Sequence, residues 1–87
     1  MSNLVFSEIA WDDYLYWQMN DKAMVKKINS LLKDIERNGA AKGTGKPEPL
    51  KWRKAWSRRI SHEHRLVYQV LEDGNIYVYS AKGHYEE

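Results

Sequence analysis

The spacing of apolar residues changes once along this chain, and that change narrows the fold more than any other feature. Val25, Ile28, Leu31, Leu32 and Ile35 recur every three or four residues, the stripe of a helix that faces a core. Beyond residue 56 the recurrence is every second residue. Trp56, Arg58 and Ile60 share one side of an extended segment, with Ser57, Arg59 and Ser61 on the other. Leu66, Tyr68 and Val70 then alternate with Arg65, Val67 and Gln69. Residues 39–49 separate the two regimes. They hold three of the five glycines and both prolines, so they read as a loop.

The remaining signals fill in the order. Leu4-Val5-Phe6 is a short first strand. Ser7 is placed to cap a helix over residues 8–19, with Trp11, Tyr14, Leu15 and Gln18 on one side and Asp12 and Asp13 near its start. Asn20-Asp21 breaks and recaps into a second helix over 22–37, which Asn38-Gly39 stops. Leu50 to Arg53 is a possible short strand. Glu72-Asp73-Gly74-Asn75 is a hairpin turn, and residues 76–81 are the returning strand. The order β-α-α-β-β-β predicts an α+β domain over residues 1–87, with two helices on one face of an antiparallel sheet.

With 87 residues the chain has room for one thin core, not for a deep dinucleotide fold. It has no cysteine, which excludes disulfides and thiolate metal sites and suits a reducing compartment such as the cytoplasm. No apolar run approaches the roughly 20 residues of a membrane span, and the first residues carry no signal-peptide pattern. The net charge of +2 conceals a concentration. Within residues 42–65 eight basic residues face two acidic ones, with Trp52 and Trp56 interleaved. Cations for phosphates and aromatic rings for bases are a footprint of RNA binding; a solvated basic face is the other reading.

Few residues stand out for chemistry. His62 and His64 lie in a polar turn without a carboxylate or thiol spaced to complete a metal site, so no metal is expected and both read as surface residues. His84 follows the last strand. Glu48 is the one acid between Glu36 and Glu63, and it lies between Pro47 and Pro49. A residue before proline is held extended, so this carboxylate sits in a stiff loop amid cations. It either pairs with a neighbouring cation or serves as a base beside a bound phosphate.

Longer motifs add a resemblance. Trp11-Asp12-Asp13-Tyr14-Leu15-Tyr16-Trp17, Lys26-Lys27-Ile28-Asn29 and Lys33-Asp34-Ile35 are followed by Gly45-Lys46-Pro47-Glu48-Pro49-Leu50-Lys51. Then come Trp56-Ser57-Arg58-Arg59-Ile60, Glu63-His64-Arg65-Leu66-Val67-Tyr68 and His84-Tyr85. Over nearly its whole length the chain resembles the YoeB/Txe toxins, within the RelE-like superfamily of ribosome-dependent mRNA endonucleases. The segment Trp52-Arg53-Lys54-Ala55 is shorter than that family's usual stretch, and Glu86 and Glu87 follow the His-Tyr pair. Their charge is expected to repel mRNA and attenuate the toxin.

The resemblance implies a microbial-RNase-like sheet backed by two helices, a homodimer, an acidic antitoxin of the YefM/Axe kind, and cleavage of mRNA in the A site of the 70S ribosome. It assigns catalysis to Glu48, Arg65, His84 and Tyr85, and it matches Lys51 and Arg59 to basic residues of the RNA-facing surface; Arg58, which lies beside them, and Lys46 are expected to contact RNA as well. No cofactor is implied. The residue types suit the chemistry. A carboxylate can take the 2′-OH proton, an imidazole can protonate the departing 5′ oxygen, and a guanidinium can hold charge on phosphorus. The alternative is a non-catalytic module of the same fold that occupies the ribosome or sequesters an antitoxin.

Overall fold

The computed structural model describes residues 3–84. The elements are β1 (Leu4–Phe6), α1 (Glu8–Asn20), α2 (Lys22–Asn38), β2 (Glu48–Pro49), β3 (Trp56–Arg59), β4 (Arg65–Val70) and β5 (Ile76–Ser80). Local chemistry sets the helix ends. The Ser7 hydroxyl accepts from the Ala10 N–H at 3.0 Å. Asp21 serves both helices: its N–H donates to the Trp17 carbonyl at 2.8 Å, closing α1, and its carboxylate accepts from the Ala23 N–H at 3.1 Å, opening α2. Gly39, at φ 87°, ends α2.

The sheet runs in the order β1-β5-β4-β3-β2. Strands β2 to β5 form the expected antiparallel meander. β1 pairs with β5 in parallel, so the sheet is mixed. The chain leaving β1 is tied to that edge. The Ser7 N–H donates to the Val78 carbonyl at 2.9 Å and its hydroxyl to the Tyr79 carbonyl at 2.7 Å. One residue therefore fixes both the direction of β1 and the start of α1. The short strand expected over Leu50–Arg53 lies instead at Glu48–Pro49. This is an edge strand, where a residue without an N–H is tolerated.

Both helices cover one face. Ile28, Leu31, Leu32 and Ile35 of α2 form one cluster with Leu66, Tyr68, Ile76 and Val78 of the sheet. Each such aliphatic side chain contributes about 1.5–3 kcal/mol on burial. α1 differs from the expectation. Trp11 and Leu15 are largely exposed and Tyr14 is half-buried, while Ala10 and Trp17 are buried. Aromatic residues occupy several sides of this helix, so spacing does not choose a face. Trp17 goes inward because its indole N–H reaches the Ala81 carbonyl at 2.8 Å. No described helix is long and apolar enough to cross a membrane.

Candidate active site

On the sheet face opposite the helices lies an open cavity of about 370 Å³. Its lining includes Lys46, Glu48, Lys51, Ser57, Arg59, Arg65 and His84. Strand register explains why these meet. Glu48 pairs with Ser57 and Arg59 with Arg65, so side chains of three adjacent strands alternate onto one face. Two strand spacings, about 10 Å, separate the backbones of β2 and β4, a gap that long side chains can close around a phosphate. Four cations surround one carboxylate.

Each wall is braced from behind. Lys46 enters with φ 52°, a left-handed conformation uncommon outside glycine. The preceding Gly45 accepts at its carbonyl from the Arg59 N–H at 2.7 Å. A side chain at Gly45 would come within 2.9 Å of Leu31 and 3.1 Å of Arg58. Nη1 of Arg65 donates to the carbonyls of Ser61, His62 and His64 at 2.9, 3.0 and 3.3 Å. The β3–β4 turn thus holds this guanidinium against the cavity.

His84 is exposed, and the three residues before it are anchored. The Ala81 N–H donates to Asp13 Oδ2 at 2.9 Å, and the Ala81 carbonyl accepts from Trp17. The Gly83 N–H donates to His64 Nδ1 at 2.8 Å, and the Gly83 carbonyl accepts from the Arg65 N–H at 2.9 Å. The Nδ1 lone pair of His64 thus anchors the segment that leads to His84. The His64 ring packs edge-on against Trp17 at 4.8 Å. His62 is exposed as expected, but His64 is half-buried and structural; no spacing pattern marks it. Burial pushes the Asp13 carboxyl up, and the Ala81 N–H and Lys82 act against that.

Arg58 is not on this surface. It is fully buried and pairs with Asp34. Its Nε donates to the Tyr68 hydroxyl at 2.8 Å, Nη1 to the Thr44 carbonyl at 3.1 Å, and Nη2 to the carbonyls of Gly39 and Lys42 at 2.9 and 2.6 Å. The expected RNA contact is therefore corrected: the side chain is spent on loop 39–45. The cause is the alternation that places Arg58 with Trp56 and Ile60, on the helix side. The network is tight enough that a Cβ at Gly43 would fall 1.8 Å from the Asp34 carboxylate. The Arg58 guanidinium, then the Thr44 N–H, hold the Asp34 carboxyl below the usual carboxylate range. Burial raises the Tyr68 phenol.

A family described as the YoeB-like toxin of bacterial type II toxin-antitoxin systems matches residues 6–85. The chain belongs to the YoeB toxin family. It is 54% identical to Toxin YoeB of Escherichia coli K12, over 94% of this chain and 98% of that toxin. Two solved structures from Staphylococcus aureus are similar to it. A YoeB dimer superposes with a TM-score of 0.90 at 57% identity, covering 97% of this chain and 98% of that one. A heterotetrameric YoeB-YefM toxin-antitoxin complex gives 0.89 at 57% identity, covering 98% and 99%. This YoeB-family chain is thus a toxin of a type II toxin–antitoxin system. Of the expected site residues, Lys46, Glu48, Lys51, Arg59, Arg65 and His84 line one cavity and Arg58 lies behind it. Tyr85 and the Glu86-Glu87 extension fall outside the described residues.

Proposed function

We propose that this toxin is an endoribonuclease that cuts mRNA in the ribosomal A site and so blocks translation. The observation that carries the reading is the gathering of Glu48, Arg65 and His84 into one cavity ringed by Lys46, Lys51 and Arg59. In the proposed reaction Glu48 takes the proton of a ribose 2′-OH, and that oxygen attacks the adjacent phosphorus. The P–O5′ bond breaks, and His84 delivers a proton to the leaving oxygen. Arg65 holds the charge that builds on the phosphoryl oxygens. The products are a 2′,3′-cyclic phosphate and a 5′-OH. Lys46, Lys51 and Arg59 hold flanking phosphates, and the family resemblance adds Tyr85 to the catalytic residues.

The same cations suit an acidic antitoxin, which would cover the cavity and neutralise it. The Staphylococcus aureus relatives, solved as a dimer and with YefM, support a homodimer and a YefM-like partner for this chain, acting in the cytoplasm where ribosomes are. The test is 5′-end mapping of mRNA on programmed ribosomes. New ends that appear with the parent protein and disappear with Glu48→Gln support the reading. Equal cleavage by both proteins overturns it.

A further inference from the structure

Trp52 is 80% exposed, although an indole has more contact area to gain from burial than any other side chain. The loop that carries Trp52 joins β2 to β3 and is closed by two hydrogen bonds. The Leu50 N–H donates to the Ala55 carbonyl at 2.9 Å, and the Ala55 N–H to the Arg53 carbonyl at 2.7 Å. The loop is also docked. The Arg53 guanidinium lies 4.7 Å above the Tyr79 ring, which sits 4.7 Å from Tyr77 and whose hydroxyl donates to Gln69 at 2.8 Å. Reaching Tyr79 on β5 from the β2–β3 hairpin takes the loop across β4, and there Val67 is buried on the otherwise open face. The residue before Trp52 is Lys51, which lines the cavity. Lys51, Arg53 and Lys54 flank Trp52 in the sequence, so the loop that presents the indole is positively charged.

We propose that Trp52 is a stacking platform for a nucleobase of the RNA strand whose phosphate occupies the cavity. The inference rests on the endoribonuclease reading and adds a base subsite to it. A strand running out past Lys51 meets a ring carried on a loop that is already closed and docked, so stacking orders few backbone torsions. Neighbouring cations can pair with its phosphates. An indole stacks on any base, so the subsite adds affinity and register without strong sequence preference.

The experiment uses a short single-stranded RNA with 2′-O-methyl riboses, which cannot be cut, and a series in which one base at a time is removed. Trp52→Ala should weaken binding of the complete RNA about 5- to 100-fold, at an unchanged thermal midpoint. Trp52→Phe should recover most of the loss and Trp52→Leu little of it. On the RNA abasic at one position beside the cavity, Trp52→Ala should have no further effect. Equal affinity of Trp52→Ala and the parent overturns the proposal. So does a loss of the same size on every abasic RNA, or full recovery by Trp52→Leu. A loss seen with ribosomes but not with the free RNA would assign the contact to ribosomal RNA and overturn the substrate subsite. The endoribonuclease reading fails separately, through persistent cleavage by Glu48→Gln, which this binding assay does not measure.

Discussion

Arg58 and Arg59 are adjacent on β3 and carry the same charge, yet they belong to different halves of the molecule. Arg58 points to the helix side and is fully buried, where it satisfies Asp34, Tyr68 and three loop carbonyls. Arg59 is exposed and lines the cavity. The pleat of a strand turns neighbours to opposite faces, so one residue of register separates a cation that organises the loop from one that faces the open cavity. The two faces differ in the same way. The helix side is apolar around the Arg58–Asp34 ion pair; the open side is polar and positive. The loop leading to Lys46 and Glu48 is held by the first face and used by the second.

Substitutions should keep the two halves apart. The largest effect is expected on the buried side. Arg58→Ala strands three carbonyls that the buried guanidinium satisfies, at about 1–3 kcal/mol for each one left without a partner, read by urea denaturation. Arg58→Lys should recover little, because one ammonium cannot reproduce the planar fork. Equal stability of Arg58→Ala and the parent would erase the distinction between the faces.

Next comes the open side. Arg65→Lys should lower ribosome-dependent cleavage about 100- to 1000-fold, through a lost transition-state contact, with little change in stability. A parallel fall in stability would mean that Arg65 belongs with Arg58 as a scaffold.

The third effect depends on pH. The Asp34 carboxyl is held below the usual range, so its stabilisation is complete above the unfolded pKa of about 3.9. It is lost as pH falls through the lower folded value. The Asp13 carboxyl is raised and has the opposite sign: its stabilisation is present at low pH and lost as pH rises through its folded value. Stability profiles between pH 2 and 5 should therefore flatten in Asp34→Asn and steepen in Asp13→Asn.

The smallest effect is expected for Arg59→Ala. Its stability should stay within about 0.5 kcal/mol of the parent, while the salt dependence of RNA binding falls by about 0.7 in log–log slope, as for one lost phosphate contact on a single strand.

Much of this was legible in residue patterns. The α2 stripe, the caps at Ser7 and Asp21, the Gly39 stop and the alternation along β3 and β4 are local properties. They follow from 3.6-residue and two-residue periods and from the hydrogen-bonding reach of short polar side chains. That alternation already put Arg58 beside Trp56 and Ile60, on the side that faces the helices. The stiffness around Glu48 was likewise readable, because proline restricts its neighbour whatever the fold.

Other features needed the assembled chain. Whether β1 pairs with β5 in parallel, which side of an aromatic-rich α1 is buried, and that His64 anchors Gly83 all depend on residues far apart in sequence. The same holds for the cavity, which draws on β2, β3, β4 and the segment after β5. The sequence by itself determined the elements, their order and the charge concentrated in residues 42–65. Only the tertiary structure decided which cations face the open cavity and which face the core. Charge is a property of a residue, whereas its solvation and its partners are properties of the place the fold assigns to it.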